Sequence, residues 1–270
     1  MELTSLVERH PLAAFCGASV GVGSAVTLLS AQLPANSPLR PLAAIPVSFV
    51  PAACALTVLR MAGSDEDRLA LRRRLTTIRV GWRWYVVALA ALPAAHLAGV
   101  ALATLPRGAV VSHPATLALL PLLLVTSLGE ETGWRGYTLP KLQERFNPLA
   151  AALILGVVWS AFHWAALLSN SEAPLAYVVV STFQLTAMSV IMAVVFNNAR
   201  EAVPVLVLMH AVYNTVSVGV LPLAETGAPI LAFSLSAAAT WLVAIGLVLA
   251  AGPGRDADRR ERATTTPLRG

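Results

Sequence analysis

The sequence predicts an all-α protein: a polytopic bundle of about eight membrane-spanning helices with both termini on the cytoplasmic side. Three observations carry this expectation. Apolar residues make up 57% of the chain and charged residues only 12%, where a soluble protein of this size carries about 25% charged residues. Several apolar runs reach the roughly 20 residues needed to cross a bilayer. The basic residues gather in a few connecting segments and leave most spans bare.

The spans read, in order, as residues 11–33, 41–60, 84–105, 114–139, 148–169, 174–197, 201–221 and 228–251. Pro11, Pro41, Pro114, Pro148 and Pro174 mark five of the starts, since proline in the first helical turn loses no internal hydrogen bond and arrives with a helical φ. Asn147 is the expected N-cap of the fifth span. The first run is too long for the core of a signal peptide and has no convincing small-residue cleavage site, so it counts as a retained span. Within it, Gly17 and Gly21 form a GxxxG pair expected at a helix–helix interface. Cys16 and Cys54 fall in apolar spans and read as packed, unpaired thiols.

Between the second and third spans lies the one long polar connection. Leu69, Leu71 and Leu75 alternate there with Arg72, Arg73 and Arg74, the pattern of a basic helix lying on the cytoplasmic leaflet. The polar segment after residue 252 is expected to be a disordered tail. The domain assignment is therefore one membrane domain over 1–252, with its chemistry between 127 and 214, and a tail over 253–270. Orientation follows from the basic residues. With the N-terminus inside, all 19 except Arg40 and Arg107 fall on the cytoplasmic side, as the positive-inside rule requires. This placement explains the net charge of +5 as topology, with no nucleic-acid partner implied.

A few polar groups interrupt this apolar background. Each ionisable side chain held at mid-membrane costs about 2.5–3.5 kcal/mol on insertion scales, so such groups mark functional sites by default. Glu130 and Glu131 follow a long apolar run, with Arg135 four residues on. Glu131 and Arg135 share a helix face and can pair, whereas Glu130 points about 100° away and is left free for chemistry. Gly129, Gly133 and Gly136 leave room for a neighbouring helix or a substrate. Trp134 and Tyr137 suit the membrane interface. Trp159 and His163 lie one turn apart in the fifth span, and His210 and Asn214 one turn apart in the seventh. Taken singly, each motif also suits a structural role: a helix-end salt bridge, a packing histidine, a weak His-x-x-x-Asn pattern. His96, in the third span, reads as a buried packing residue.

Together these residues resemble the CPBP family, the CAAX-processing (Abi) group of intramembrane endopeptidases. The shared pattern is Glu130-Glu131-x-x-x-Arg135, then Trp159-x-x-x-His163, then His210-x-x-x-Asn214, in that order over about residues 114–220. The Glu-Glu-x-x-Trp-Arg-Gly-Tyr stretch is similar to that of bacterial members. Trp159 stands where phenylalanine is common, a departure expected to have little effect.

The resemblance implies an eight-helix fold with a conical cavity open to the cytosolic side and to lipid. It implies hydrolysis of a peptide bond, with Glu130 as general base, His163 positioning water or a metal, and His210 and Asn214 orienting water or binding the oxyanion. Glu131 and Arg135 support the site. Zinc at His163 and His210 is one expectation, since such enzymes are described as metalloproteases. Two histidines and an amide are few ligands for it, and a metal-free glutamate mechanism stands beside it. The expected substrate is a membrane-associated, hydrophobic or prenylated peptide, and the expected location a bacterial inner membrane. The competing expectation is a non-catalytic immunity or regulatory protein that uses the same cavity.

Overall fold

The computed structural model describes residues 2–34, 37, 41–104, 114–169, 175–220 and 229–252. The expected tail over 253–270, and Arg40, Arg107 and Pro174, lie outside the described residues. Among the described residues all regular structure is helical. The helices are α1 (Glu2–Arg9), α2 (Pro11–Ala31), α3 (Ala44–Ala62), α4 (Asp65–Thr76), α5 (Trp82–Thr104), α6 (Leu120–Glu131), α7 (Leu139–Gln143), α8 (Pro148–Leu168), α9 (Leu175–Asn198), α10 (Val203–Val220) and α11 (Pro229–Ala251). Six of them, α2, α3, α5, α8, α9 and α11, are long and apolar enough to cross a membrane. The protein is a multi-pass membrane protein.

Eight helices close into a ring. α2 packs on α3, α3 on α6, α6 on α10, α10 on α5, α5 on α11, α11 on α9, α9 on α8, and α8 back on α2. The fourth and seventh expected spans are thus members of the ring even though α6 and α10 are short. Pro11 and Pro148 open α2 and α8 as expected, and the Asn147 side chain accepts a 2.8 Å bond from the Ala150 amide. Pro41 opens only a 3-10 turn, Pro41–Ala43, before α3 begins at Ala44.

The 114–139 span is not one continuous helix. It starts as a 3-10 turn over Pro114–Leu119, becomes α6, widens into a π-helix over Thr132–Thr138, and resumes as α7. In the π stretch the Leu139 amide reaches back five residues to the Trp134 carbonyl, and the Thr138 hydroxyl donates to the Gly133 carbonyl at 2.9 Å. Such wide turns recur at functional sites. Every residue of this one is buried. Trp134 and Tyr137 therefore do not sit at the membrane interface. Both rings pack on Phe15 of α2, with centroids 5.3 Å away.

Glycines set the closeness of the ring. A Cβ on Gly133 would lie 2.5 Å from Pro51 of α3, and one on Gly129 would lie 2.6 Å from the Ser48 carbonyl oxygen. Only a residue without a side chain lets α3 approach so near. The GxxxG pair does not act this way: a Cβ on Gly17 or Gly21 meets nothing within 4 Å. The small residue of α2 that is used is Gly23, covered by the Phe162 ring. Cys16 and Cys54 are free thiols.

The polar connection folds as expected into α4. Its N-terminus carries a capping box: the Ser64 hydroxyl accepts from the Asp67 amide, and the Asp67 carboxylate accepts from the Ser64 amide. α4 is clamped to one end of the ring. Arg74 donates to Glu201 at 2.7 Å and to the Gly136 carbonyl at 3.2 Å, and Lys141 pairs with Asp67 at 2.8 Å. Arg200 donates to the Arg79 carbonyl at 3.2 Å. Basic residues from three separate segments, Arg74, Lys141 and Arg200, thus meet at one end of the bundle.

Candidate active site

α6 delivers two adjacent carboxylates into the centre of the ring. The helix period separates them as expected, and each finds its own partners. Glu131 is fully buried. Its Oε1 accepts from Arg135 Nη1 at 2.9 Å and from His210 Nδ1 at 2.9 Å. One carboxylate thereby joins a cation one turn on along its own strand of helix to an imidazole on α10. Burying such an ion pair is costly unless its hydrogen bonds are made, and here they are made only in part: both bonds fall on Glu131 Oε1, while Glu131 Oε2 and Arg135 Nε and Nη2 are buried with no hydrogen-bond partner among the described residues.

Glu130 faces the other way, towards α8. Its Oε2 accepts from the indole Nε1 of Trp159 at 2.9 Å. The same oxygen lies 3.9 Å from His163 Nε2. On its other side the His163 ring donates from Nδ1 to the Trp159 carbonyl at 2.8 Å. That bond places a proton on Nδ1, and in the neutral tautomer this makes Nε2 the acceptor nitrogen facing the carboxylate.

Trp159 is the hub. Its indole donates to Glu130, the Arg135 guanidinium lies over it at 4.1 Å, and the rings of His163 and His210 meet it edge-on at 5.8 and 5.4 Å. Both the cation over the ring face and the edge-on rings suit the charge distribution of an indole. A phenylalanine in this position would keep the ring contacts but could not make the bond to Glu130.

A cavity of about 330 Å³ opens on this centre. Glu130, His163, Phe162 and Ser48 line it, with Thr27 and Ser169 among the residues nearer its mouth. His210 and Asn214 do not line it. His210 is buried behind Trp159 and tied to Glu131, and Asn214 is half-buried one turn further along α10. The cavity lies among the last turn of α2, the start of α3 and the end of α8. This is the end of the ring away from α4. A cavity opening on the same side as the basic segments was expected, and this one opens on the other. Ser48 was not singled out in the sequence. It is an ordinary serine in an apolar span, and only the fit of α3 against Gly129 brings it to Glu130.

The donor set does not fit a zinc ion. A catalytic zinc takes three protein ligands. Among the described residues no three His, Cys, Asp or Glu side chains stand where they could hold an ion. His163 turns to Glu130, and the Nδ1 of His210 is given to Glu131.

Residues 112–216 match the family described as type II CAAX prenyl endopeptidase Rce1-like. The matched segment runs from just before α6 to α10, so it contains both carboxylates and both histidines. The match covers less than half of the chain and is a similarity of this segment to that family. A 51-residue stretch is also 37% identical to CAAX prenyl protease 2 of Methanococcus maripaludis, covering 19% of this chain and 19% of that protein. The chain therefore aligns with about a fifth of the length of this curated relative. In the matched segment, the π-helix and the Trp159 hub are what bring the three motifs into contact.

Proposed function

We propose that the protein is an intramembrane endopeptidase that hydrolyses a peptide bond with a water activated by Glu130, without a metal. The observation that carries this is the pair of facing acceptors, Glu130 Oε2 and His163 Nε2, 3.9 Å apart at the inner end of a cavity. A carboxylate and an imidazole lone pair so arranged both accept from one water, which orients it and draws off its proton.

The steps balance without an outside reagent. Glu130 takes a proton from the water, and the water oxygen adds to the peptide carbonyl. The resulting oxyanion accepts hydrogen bonds. The resemblance gives that donation to the Asn214 amide and to His210, neither of which lines the cavity as it stands. With its Nδ1 proton given to Glu131, His210 donates from Nε2 only when protonated. Collapse of the intermediate breaks the C–N bond, and Glu130 returns its proton to the leaving amine. Glu131 and Arg135 hold His210 and Trp159, and through Trp159 they hold Glu130.

The substrate class we propose is a hydrophobic or prenylated peptide at the membrane of a bacterial cell, by analogy with the CAAX prenyl protease it partly matches. Glu130→Gln is expected to abolish cleavage while the protein still inserts and folds, because Gln keeps the shape and can still accept from Trp159. Comparing the membrane peptides of cells carrying wild-type protein or Glu130→Gln should show one defined product missing in the mutant. Turnover that persists in Glu130→Gln and vanishes in Glu131→Gln would reverse the assignment of the two carboxylates. A cellular phenotype that survives both Glu130→Ala and His210→Ala would instead favour the non-catalytic, regulatory reading.

A further inference from the structure

A second cavity, of about 620 Å³, lies at the other end of the ring, between α3 and α4. Its size is in the roughly 300–1,000 Å³ range of small-molecule sites. Three arginines line it: Arg60 from the last turn of α3, and Arg68 and Arg72 from one face of α4. Its apolar wall is Leu56, Leu71 and Leu75. Neither the charge nor the apolar wall is used by the proposed hydrolysis.

The arrangement is amphipathic along the membrane normal. Arg60 ends α3, whereas Leu56 and Ala53 lie one and two turns deeper on the same helix, about 6 and 10 Å further in. Arg68 is held in place by bonds to the Leu59 carbonyl at 3.0 Å and to Asp65 at 2.6 Å. Arg60 and Arg72 are exposed and enter no ion pair among the described residues. The adjoining face of α4 is occupied: Leu71 borders the groove and also covers Gly136, and Arg74 and Asp67 make the clamp. The groove face is left to something else.

We propose that this groove binds one anionic phospholipid of the surrounding leaflet, its phosphate between Arg60 and Arg72 and an acyl chain along Leu56 and Leu75. Arginine binds phosphate oxygens in paired, charge-assisted contacts. A basic groove between a span and an interfacial helix is placed where headgroups lie. The apolar wall is what selects an amphiphile over a soluble anion, which gains nothing from leucines below its charge.

The test is native mass spectrometry of the full chain released from membranes of mixed phosphatidylglycerol and phosphatidylcholine. Wild type is expected to retain one phosphatidylglycerol and no phosphatidylcholine. The double variant Arg60→Gln/Arg72→Gln is expected to retain it roughly 30-fold less, the effect of two basic residues at the surface. Arg79→Gln/Arg83→Gln, which removes the same charge from exposed positions outside the groove, is expected to behave as wild type. Leu56→Trp, which fills the groove and keeps every arginine, is expected to lose the lipid too, and it guards against a folding defect in the double variant. Equal loss in both double variants would mean diffuse surface attraction and overturn the site. So would retention in Leu56→Trp, wild type that carries no phosphatidylglycerol, or displacement of the lipid by an acidic peptide at equal concentration.

Discussion

Trp159 donates its indole N–H to Glu130 at 2.9 Å while its ring carries the Arg135 guanidinium and the edges of two histidines. Trp159→Phe removes only the N–H. A hydrogen bond to a charged group is worth about 1.5–3 kcal/mol, so kcat/KM on the cleaved peptide is expected to fall roughly 10- to 100-fold, with thermal stability little changed. An unchanged rate would mean that Glu130 is held by the His163 side alone. At this scale the sequence was informative about contacts within one helix. The Glu131–Arg135 pair and the divergence of Glu130 from Glu131 both follow from the 3.6-residue period. The bonds from His210 to Glu131 and from Trp159 to Glu130 join residues 79 and 29 apart. No local spacing encodes such contacts, which is why Trp159 looked interchangeable with phenylalanine and Trp134 looked interfacial.

Between elements, two kinds of joint hold the site: bare backbone contact inside the ring and charged clamps at its end. Gly133→Ala would push a methyl into Pro51, whose backbone atoms are as near as its ring. Overpacking of this kind costs about 1–3 kcal/mol, so a lower melting temperature is expected together with lost activity, because the same turn carries Glu131 and Arg135. Gly17→Ala and Gly21→Ala are expected to change neither, since nothing lies within 4 Å of the added atom. Small-residue spacing marks a helix that can pack closely, but not the face its neighbours choose: the expected close approach is found at Gly129 and Gly133 and not at Gly17 and Gly21. The clamp between Asp67 and Lys141 adds a pH dependence. Burial pushes the Asp67 carboxyl up, but bonds from Lys141 and Ser64 outweigh it and leave it below its usual value of 3.8. Burial pushes Lys141 down, and bonds to Asp67 and Glu144 outweigh that and leave it above 10.5. A lowered carboxyl contributes stability above its unfolded value and loses it as pH falls through the folded one; a raised amine contributes below its unfolded value and loses it as pH rises through the folded one. The clamp is therefore whole between about pH 4 and 10, and both groups are exposed enough that it is worth only about 0.5 kcal/mol. The protection of the α4 amides, as the ratio of intrinsic to observed exchange rate, is expected to fall below about pH 4 in wild type, and in Asp67→Asn to be equally low at neutral pH.

For the whole molecule, the all-α membrane fold was legible from apolar run lengths, and six of the expected spans are helices long and apolar enough to cross a membrane among the described residues. What run lengths could not show is that the fourth is broken by a π-helix, because that break depends on packing against α3 and α4 rather than on hydropathy. The ring also sets two signals against each other. The arginine count puts α4 inside, while the cavity that holds Glu130 and His163 opens at the end away from α4. A cytosolic opening for the active site and a cytosolic α4 cannot both hold for this cavity. Cysteine accessibility decides between them. In a background with Cys16 and Cys54 changed to alanine, Glu66→Cys reports the α4 end and Ser169→Cys the cavity mouth. With a membrane-impermeant maleimide on right-side-out vesicles, the positive-inside rule predicts that Ser169→Cys is labelled at once and Glu66→Cys only after permeabilisation. That result would assign the substrate's approach to the outer side or to the lipid between α2, α3 and α8, and would set this chain apart from the cytosolic opening that its resemblance implies. The reverse pattern would restore the cytosolic opening and make the basic end external, against the charge rule. Labelling of both positions from one side would break the antiparallel arrangement of α3, α4 and α8 on which either choice depends.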